Sequence, residues 1–167
     1  SRAKASTTRM EEILLIEDGI EDVVSPSKIE MPSKKGEIVF KNVSFKYPQT
    51  DRYVLKNVSF CCKQGEKIAV MGATGSGKST LLQLIAKFYE VEEGRIFVDG
   101  VDIKEWNVEN LRQSIGYVPQ RSLLFTGTIF DNITWGKTEA TKEEVIKATK
   151  QAQIYDSVMD FQNGYHT

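Results

Sequence analysis

Between Gly72 and Ser79 the chain reads GATGSGKS, three glycines, three hydroxyl residues and one lysine in eight positions. Such a stretch suits one kind of chemistry. Backbone amides turned inward can hold phosphate oxygens, and that curvature needs dihedral angles and close approaches that a side chain obstructs and glycine permits. A helix beginning near Lys78 adds unpaired N–H groups and the positive end of its dipole. On this reading Gly72, Ala73, Thr74, Gly75, Ser76 and Gly77 form the cradle. Lys78 brings a full charge to the β and γ phosphates, Ser79 offers a hydroxyl to Mg²⁺, and Thr80 lies close enough to reach the α-phosphate region. The plainer alternative is a glycine-rich turn with a solvated lysine. The pattern G-x-x-x-x-G-K-S/T, met in full and flanked by a strand-like and a helix-like run, favours nucleotide binding.

The elements that must position this loop are legible around it. Before it, IAVM (68–71) is a short continuous apolar run of the kind shown by a strand buried on both faces. After it, KSTLLQLIAKFYE places Leu81, Leu82, Leu84, Ile85 and Phe88 at helical spacing, ending near the acidic turn EVEEG. Further upstream, Ile38 and Phe40 and then Val43, Phe45 and Tyr47 alternate with polar residues. A second β-rich run, RYVLKNVSFCC, follows the turn PQTD, so antiparallel strands are expected there.

Downstream come a strand RIFVDG, a short helix opened by Asn107, a strand SIGYV stopped by Pro119, and a helix TIFDNITW closed by Gly136. Thr128 with Asp131, and Thr141 with Glu144, have capping-box spacing, the second helix running to about Ala152. At the other end, TTRMEEILLIEDGIEDV reads as a helix with Thr8 and Glu11 as its capping pair. SPSKIEMPSKKG, residues 25–36, has linker composition.

The 167 residues are 40% hydrophobic and 27% charged, the make-up of one ordinary domain with a core. With 22 Lys+Arg against 23 Asp+Glu, the net charge of -1 gives no electrostatic footprint for nucleic acid. No apolar run reaches the roughly eighteen residues that cross a bilayer. Cys61 and Cys62 are adjacent in a strand-like run without metal-ligand spacing, and free buried or half-buried thiols are expected.

Taken together, these residues resemble the nucleotide-binding domain of an ATP-binding cassette (ABC) transporter of the exporter type. IVFKNVSFKYPQTDRYVLKNVSF is similar to the family's antiparallel β region, and GEKIAVMGATGSGKSTLLQLIAKFYEVEEGRIFVDGVDI to its phosphate-loop core. LRQSIGYVPQRSLLFTGTIFDNITWG is similar to the segment leading into its helical subdomain. The resemblance implies an α/β fold: a P-loop NTPase core with a mostly parallel sheet, an antiparallel β subdomain, and an incomplete helical subdomain. It implies a helix leaving a membrane domain at 1–24, a linker at 25–36, and the N-terminal portion of the cassette at 37–167.

The resemblance also assigns roles. Tyr47 occupies the position of the aromatic ring that stacks on adenine, whereas by its sequence setting alone it reads as a strand tyrosine facing a core. Gln120 matches the glutamine that contacts Mg²⁺ and the attacking water; on its own it is a loop glutamine. Lys78 and Gln120 are thus the catalytic candidates, and Ser79 and Gln120 the metal ligands. ATP and Mg²⁺ are the implied cofactors. A second nucleotide-binding domain is an implied partner, and so is a transmembrane domain whose coupling helices dock near Gln120 to Phe125, at the cytoplasmic face of a membrane. Leu124 and Phe125 fit that docking surface and fit core packing equally well. Asp99, followed by Gly100, is expected to be a turn residue rather than a Mg²⁺ ligand, and the only histidine, His166, a surface residue.

The 167 residues contain no LSGGQ-like signature, no apolar strand ending in Asp-Glu and no later switch histidine. These residues are therefore expected to form part of a larger polypeptide, binding ATP but carrying only the ground-state half of the hydrolytic apparatus. Two other classes remain in view, a stand-alone P-loop kinase acting on a small molecule and a non-catalytic nucleotide-sensing module. The first would need a lid with arginines near the chain's end, and no arginine follows Arg121.

Overall fold

The computed structural model describes residues 36–167, so the helix and linker expected over 1–35 lie outside the described residues. Two compact units divide between Gly116 and Tyr117.

The first unit is built on a four-stranded sheet of order β2-β1-β3-β4. β1 is Ile38–Phe45, β2 Leu55–Cys62, β3 Glu93–Val98 and β4 Val101–Asp102, and every pairing is antiparallel. In β1 the buried residues are Phe40, Val43 and Phe45. The step of three from Phe40 to Val43 breaks the period of two that a flat strand requires. The register explains it: Phe40 pairs with Phe60 and Val43 with Val58, so β1 carries an extra residue there. The compensating extra residue lies in β2, between Val58 and Leu55. Asn42 and Asn57 take left-handed φ values of 50° and 48° at the two bulges, a conformation asparagine tolerates better than most side chains. The bulges return each strand to its inward face. Phe40 can then stack on Phe60 at 4.5 Å in a core shared with Leu81, Leu84, Ile96, Val98 and Leu111.

Helix α1, Lys78–Ile85, lays Thr80, Leu81 and Leu84 onto that core. It ends earlier than its apolar spacing suggests, because Lys87 turns left-handed with φ 51°. The N–H of Lys87 bonds the carbonyl of Leu84 and that of Phe88 the carbonyl of Gln83, a Schellman closure with lysine in place of the usual glycine. The side chain of Lys87 is buried and donates to the Trp106 carbonyl. Arg112, from α2 (Val108–Gln113), donates to the carbonyls of Ala86 and Lys87. A guanidinium on the last carbonyls of α1 complements its dipole and fixes its far end. Asp99 is a turn residue as expected, with φ 55° and its carboxylate accepting the N–H groups of Gly36 and Glu37.

Two expectations fail. Neither IAVM (68–71) nor SIGYV (114–118) forms a strand; Met71 is 90% and Val118 88% exposed, and Ser114 is instead the C-cap of α2. A strand is completed by hydrogen bonds from a neighbour, and among the described residues only β1 to β4 supply any. The antiparallel β region is present, but the parallel pairing of the expected core is not formed among these residues.

The second unit holds α3 (Ile129–Thr134), α4 (Lys142–Gln151) and α5 (Tyr155–Met159). Both expected capping boxes are made, Thr128 with Asp131 and Thr141 with Glu144. Val145, Val158 and Tyr165 form its core, and the Thr149 and Tyr165 hydroxyls meet at 2.6 Å within it. His166 is exposed, in a single 3-10 turn. No helix among the described residues is long and apolar enough to cross a membrane, and both cysteines are free.

Candidate functional site

The loop from Gly72 to Gly77 runs from a segment without regular structure into the first turn of α1. Gly77 is its hinge, with φ 89° at the N-cap. A Cβ there would stand 2.7 Å from Leu55 Cδ2 and 3.2 Å from the Val54 carbonyl oxygen, so only glycine lets the loop lie against the start of β2. The Ser76 N–H closes a turn onto the Ala73 carbonyl.

At this end α1 has neither a capping side chain nor an acidic residue in its first turn. Its leading N–H groups have no partner within the helix and carry the positive end of the dipole. The ammonium of Lys78 folds back over the loop, donating to the carbonyls of Gly72 at 2.9 Å and Ala73 at 2.7 Å, with Ser76 Oγ at 3.4 Å. The uncapped start of α1 and one full positive charge therefore lie along one short arc. Such an arrangement has the chemistry that suits an anion. Ser79, exposed on the first turn, presents a hydroxyl oxygen of the kind Mg²⁺ takes alongside phosphate oxygens. The described residues contain no cluster of His, Cys, Asp and Glu able to hold a metal alone.

Tyr47 lies just beyond β1, and the structure brings it to the same helix. Its hydroxyl donates to Gln83 Oε1 at 2.9 Å and lies 2.9 Å from Thr80 Oγ1. Its ring is half-buried, edge-to-face with Phe45 and Tyr89, each with centroids 5.1 Å away. Thr80 is thus buried with its hydroxyl on Tyr47. The sequence reading missed Gln83, although Thr80 and Gln83, three apart, had to share a helix face.

Gln120 belongs to the second unit, exposed in a stretch without regular structure. Leu123 and Leu124 beyond it are also exposed, while Phe125 stacks on Trp135 at 4.3 Å with the rings 9° from parallel. Asn132 fixes that stretch, accepting from the Phe125 N–H and donating to its carbonyl. Trp135, from the residue after α3, escaped the sequence reading because nothing in its spacing ties it to Phe125.

A sequence profile described as ABC transporter matches residues 55–165. The chain belongs to the ABC transporter family. Among its relatives, "Uncharacterized ABC transporter ATP-binding protein YfiB" of Bacillus subtilis (strain 168) is 47% identical over the whole of this ABC chain and 28% of its own length. The mitochondrial "Iron-sulfur clusters transporter ATM1" of Debaryomyces hansenii is 49% identical over 79% of the chain and 19% of its own length. A bacterial Atm1-family ABC exporter with ATP bound, 34% identical, superposes with a TM-score of 0.81 over 99% of this ABC chain and 28% of that one. The α/β cassette fold follows from that superposition, and the chain spans less than a third of the length of each of these proteins.

Proposed function

We propose that this chain binds ATP with Mg²⁺ and forms the ATP-binding part of an exporter-type transporter that couples ATP hydrolysis to transport. The observation that carries this reading is the convergence of Lys78 and the uncapped start of α1 on the arc of Gly72 to Gly77. The arc receives the triphosphate, Lys78 neutralises its β and γ oxygens, and Tyr47 stacks on adenine. Ser79 would offer its hydroxyl to Mg²⁺, which would neutralise charge on the phosphate oxygens. The remaining partners of the reading are a second cassette and a membrane domain docking near Gln120 to Phe125, at the cytoplasmic face. The exposed Leu123 and Leu124 support that surface.

Titration with a fluorescent ATP analogue tests the reading. Lys78→Ala should weaken binding by about tenfold or more, as expected for loss of a charge-assisted contact. Unchanged affinity would overturn it.

A further inference from the structure

We infer that Gln83 is a positioning residue which, with Thr80, anchors the Tyr47 ring to the phosphate-loop helix, so that the base and phosphate ends of a nucleotide are recognised by one rigid unit. The inference rests on the ATP-binding reading above and deepens it.

The Tyr47 hydroxyl has one proton, and it is donated to Gln83 Oε1. The short contact with Thr80 Oγ1 is therefore one in which threonine donates and tyrosine accepts. A directed chain results, from Thr80 through Tyr47 to Gln83. Both of its ends lie on one face of α1, in the turn directly after Lys78 and Ser79. The other contacts of Tyr47 fix different parts of it. Its carbonyl accepts from the backbone N–H and the side-chain hydroxyl of Thr50, which holds the backbone. Phe45 and Tyr89, at interplanar angles of 81° and 85°, set the tilt of the ring. Edge-to-face contacts leave a ring free to slide along its neighbours, whereas two hydrogen bonds at the distal oxygen do not.

A stacking ring contributes through its orientation, since it makes no directional bond to the base. Without Gln83 the ring keeps only its bond to Thr80, so part of its orientation must be ordered anew by each ligand, a cost subtracted from base affinity. The phosphate end is held by Lys78 and backbone amides, which Gln83 does not touch.

The test is calorimetric titration of the full chain and its variants with ATP and with inorganic tripolyphosphate, which has the tail and no base. Gln83→Leu should weaken ATP by about three- to tenfold, the net worth of one hydrogen bond to an ordered group, with tripolyphosphate within about twofold of the unsubstituted chain. Gln83→Glu keeps an acceptor oxygen in place and should restore ATP affinity. Equal losses for both ligands would make Gln83 a support of the helix alone, and no loss for either would remove it from base recognition; each overturns the inference. Lys78→Ala reports separately. If it changes neither ligand the ATP reading fails, whereas its effect together with a silent Gln83→Leu sinks only the positioning role.

Discussion

Replacing Gly77 with alanine measures how tightly the loop of Gly72 to Gly77 is bound to the sheet. The residue sits at φ 89°, which an L side chain enters at a cost of about 1–2 kcal/mol. Space adds a second cost. The new methyl would lie 2.7 Å from Leu55 Cδ2, 3.1 Å from Val54 Cγ1 and 3.2 Å from the Val54 carbonyl oxygen. Leu55 is a buried core residue paired with Phe45, and a carbonyl cannot rotate aside as a side chain can. Overpacking of this kind costs about 1–3 kcal/mol. Gly75 supplies the comparison, because it has φ 79° and nothing within 4 Å of a built Cβ. Gly75→Ala should therefore lose the conformational part alone, about 1–2 kcal/mol, and Gly77→Ala about 2–5 kcal/mol. Urea unfolding followed by far-UV circular dichroism reads both, as midpoint shifts at constant slope. Equal losses would show that Gly77 is required for its dihedral angle only and that the loop does not press on Val54 and Leu55.

Phe40→Ala removes a ring that is 1% exposed and stacked on Phe60, and should cost about 3–5 kcal/mol in the same assay; a loss near 1 kcal/mol would mean that the bulged strand does not centre the core. Asp131 is held below the ordinary carboxylate range by the N–H and hydroxyl of Thr128, and Glu144 by the Lys137 ammonium and then the Thr141 N–H. A carboxylate depressed by folding contributes stability that is full above its unfolded value and lost as pH falls through the folded one. Helices α3 and α4 should accordingly hold constant amide protection down to about pH 4 and fray below it; fraying that begins at neutral pH would assign it to another group.

What the sequence made legible is what local chemistry determines. The capping pairs at Thr128 and Thr141, the cap at Asn107 and the turn at Asp99 each depend on groups within three residues, or on one residue's tolerance of a left-handed angle, and all appear as expected. The turn of the glycine-rich loop into α1 was readable for the same reason, its glycines and lysine being neighbours in the chain. Strand formation at IAVM and SIGYV was not, because an apolar run states only that a segment could be buried, and pairing is decided by distant residues. The relay from Thr80 through Tyr47 to Gln83 crosses more than thirty positions of sequence. Its helical half was implicit in the spacing, while its tyrosine end depends on how β1 delivers the chain past Phe45. The two bulges are half visible in the sequence, which carries the uneven step from Phe40 to Val43 but not the register that explains it.

Lys78 keeps its positive charge occupied with the oxygens of its own loop. On the proposed function, a triphosphate binding there would exchange partners with the loop rather than simply gain one. Any anion taken up there has to displace two carbonyls from the ammonium, which tempers its affinity. The same tether splints the arc by itself, so that one side chain keeps the loop in shape.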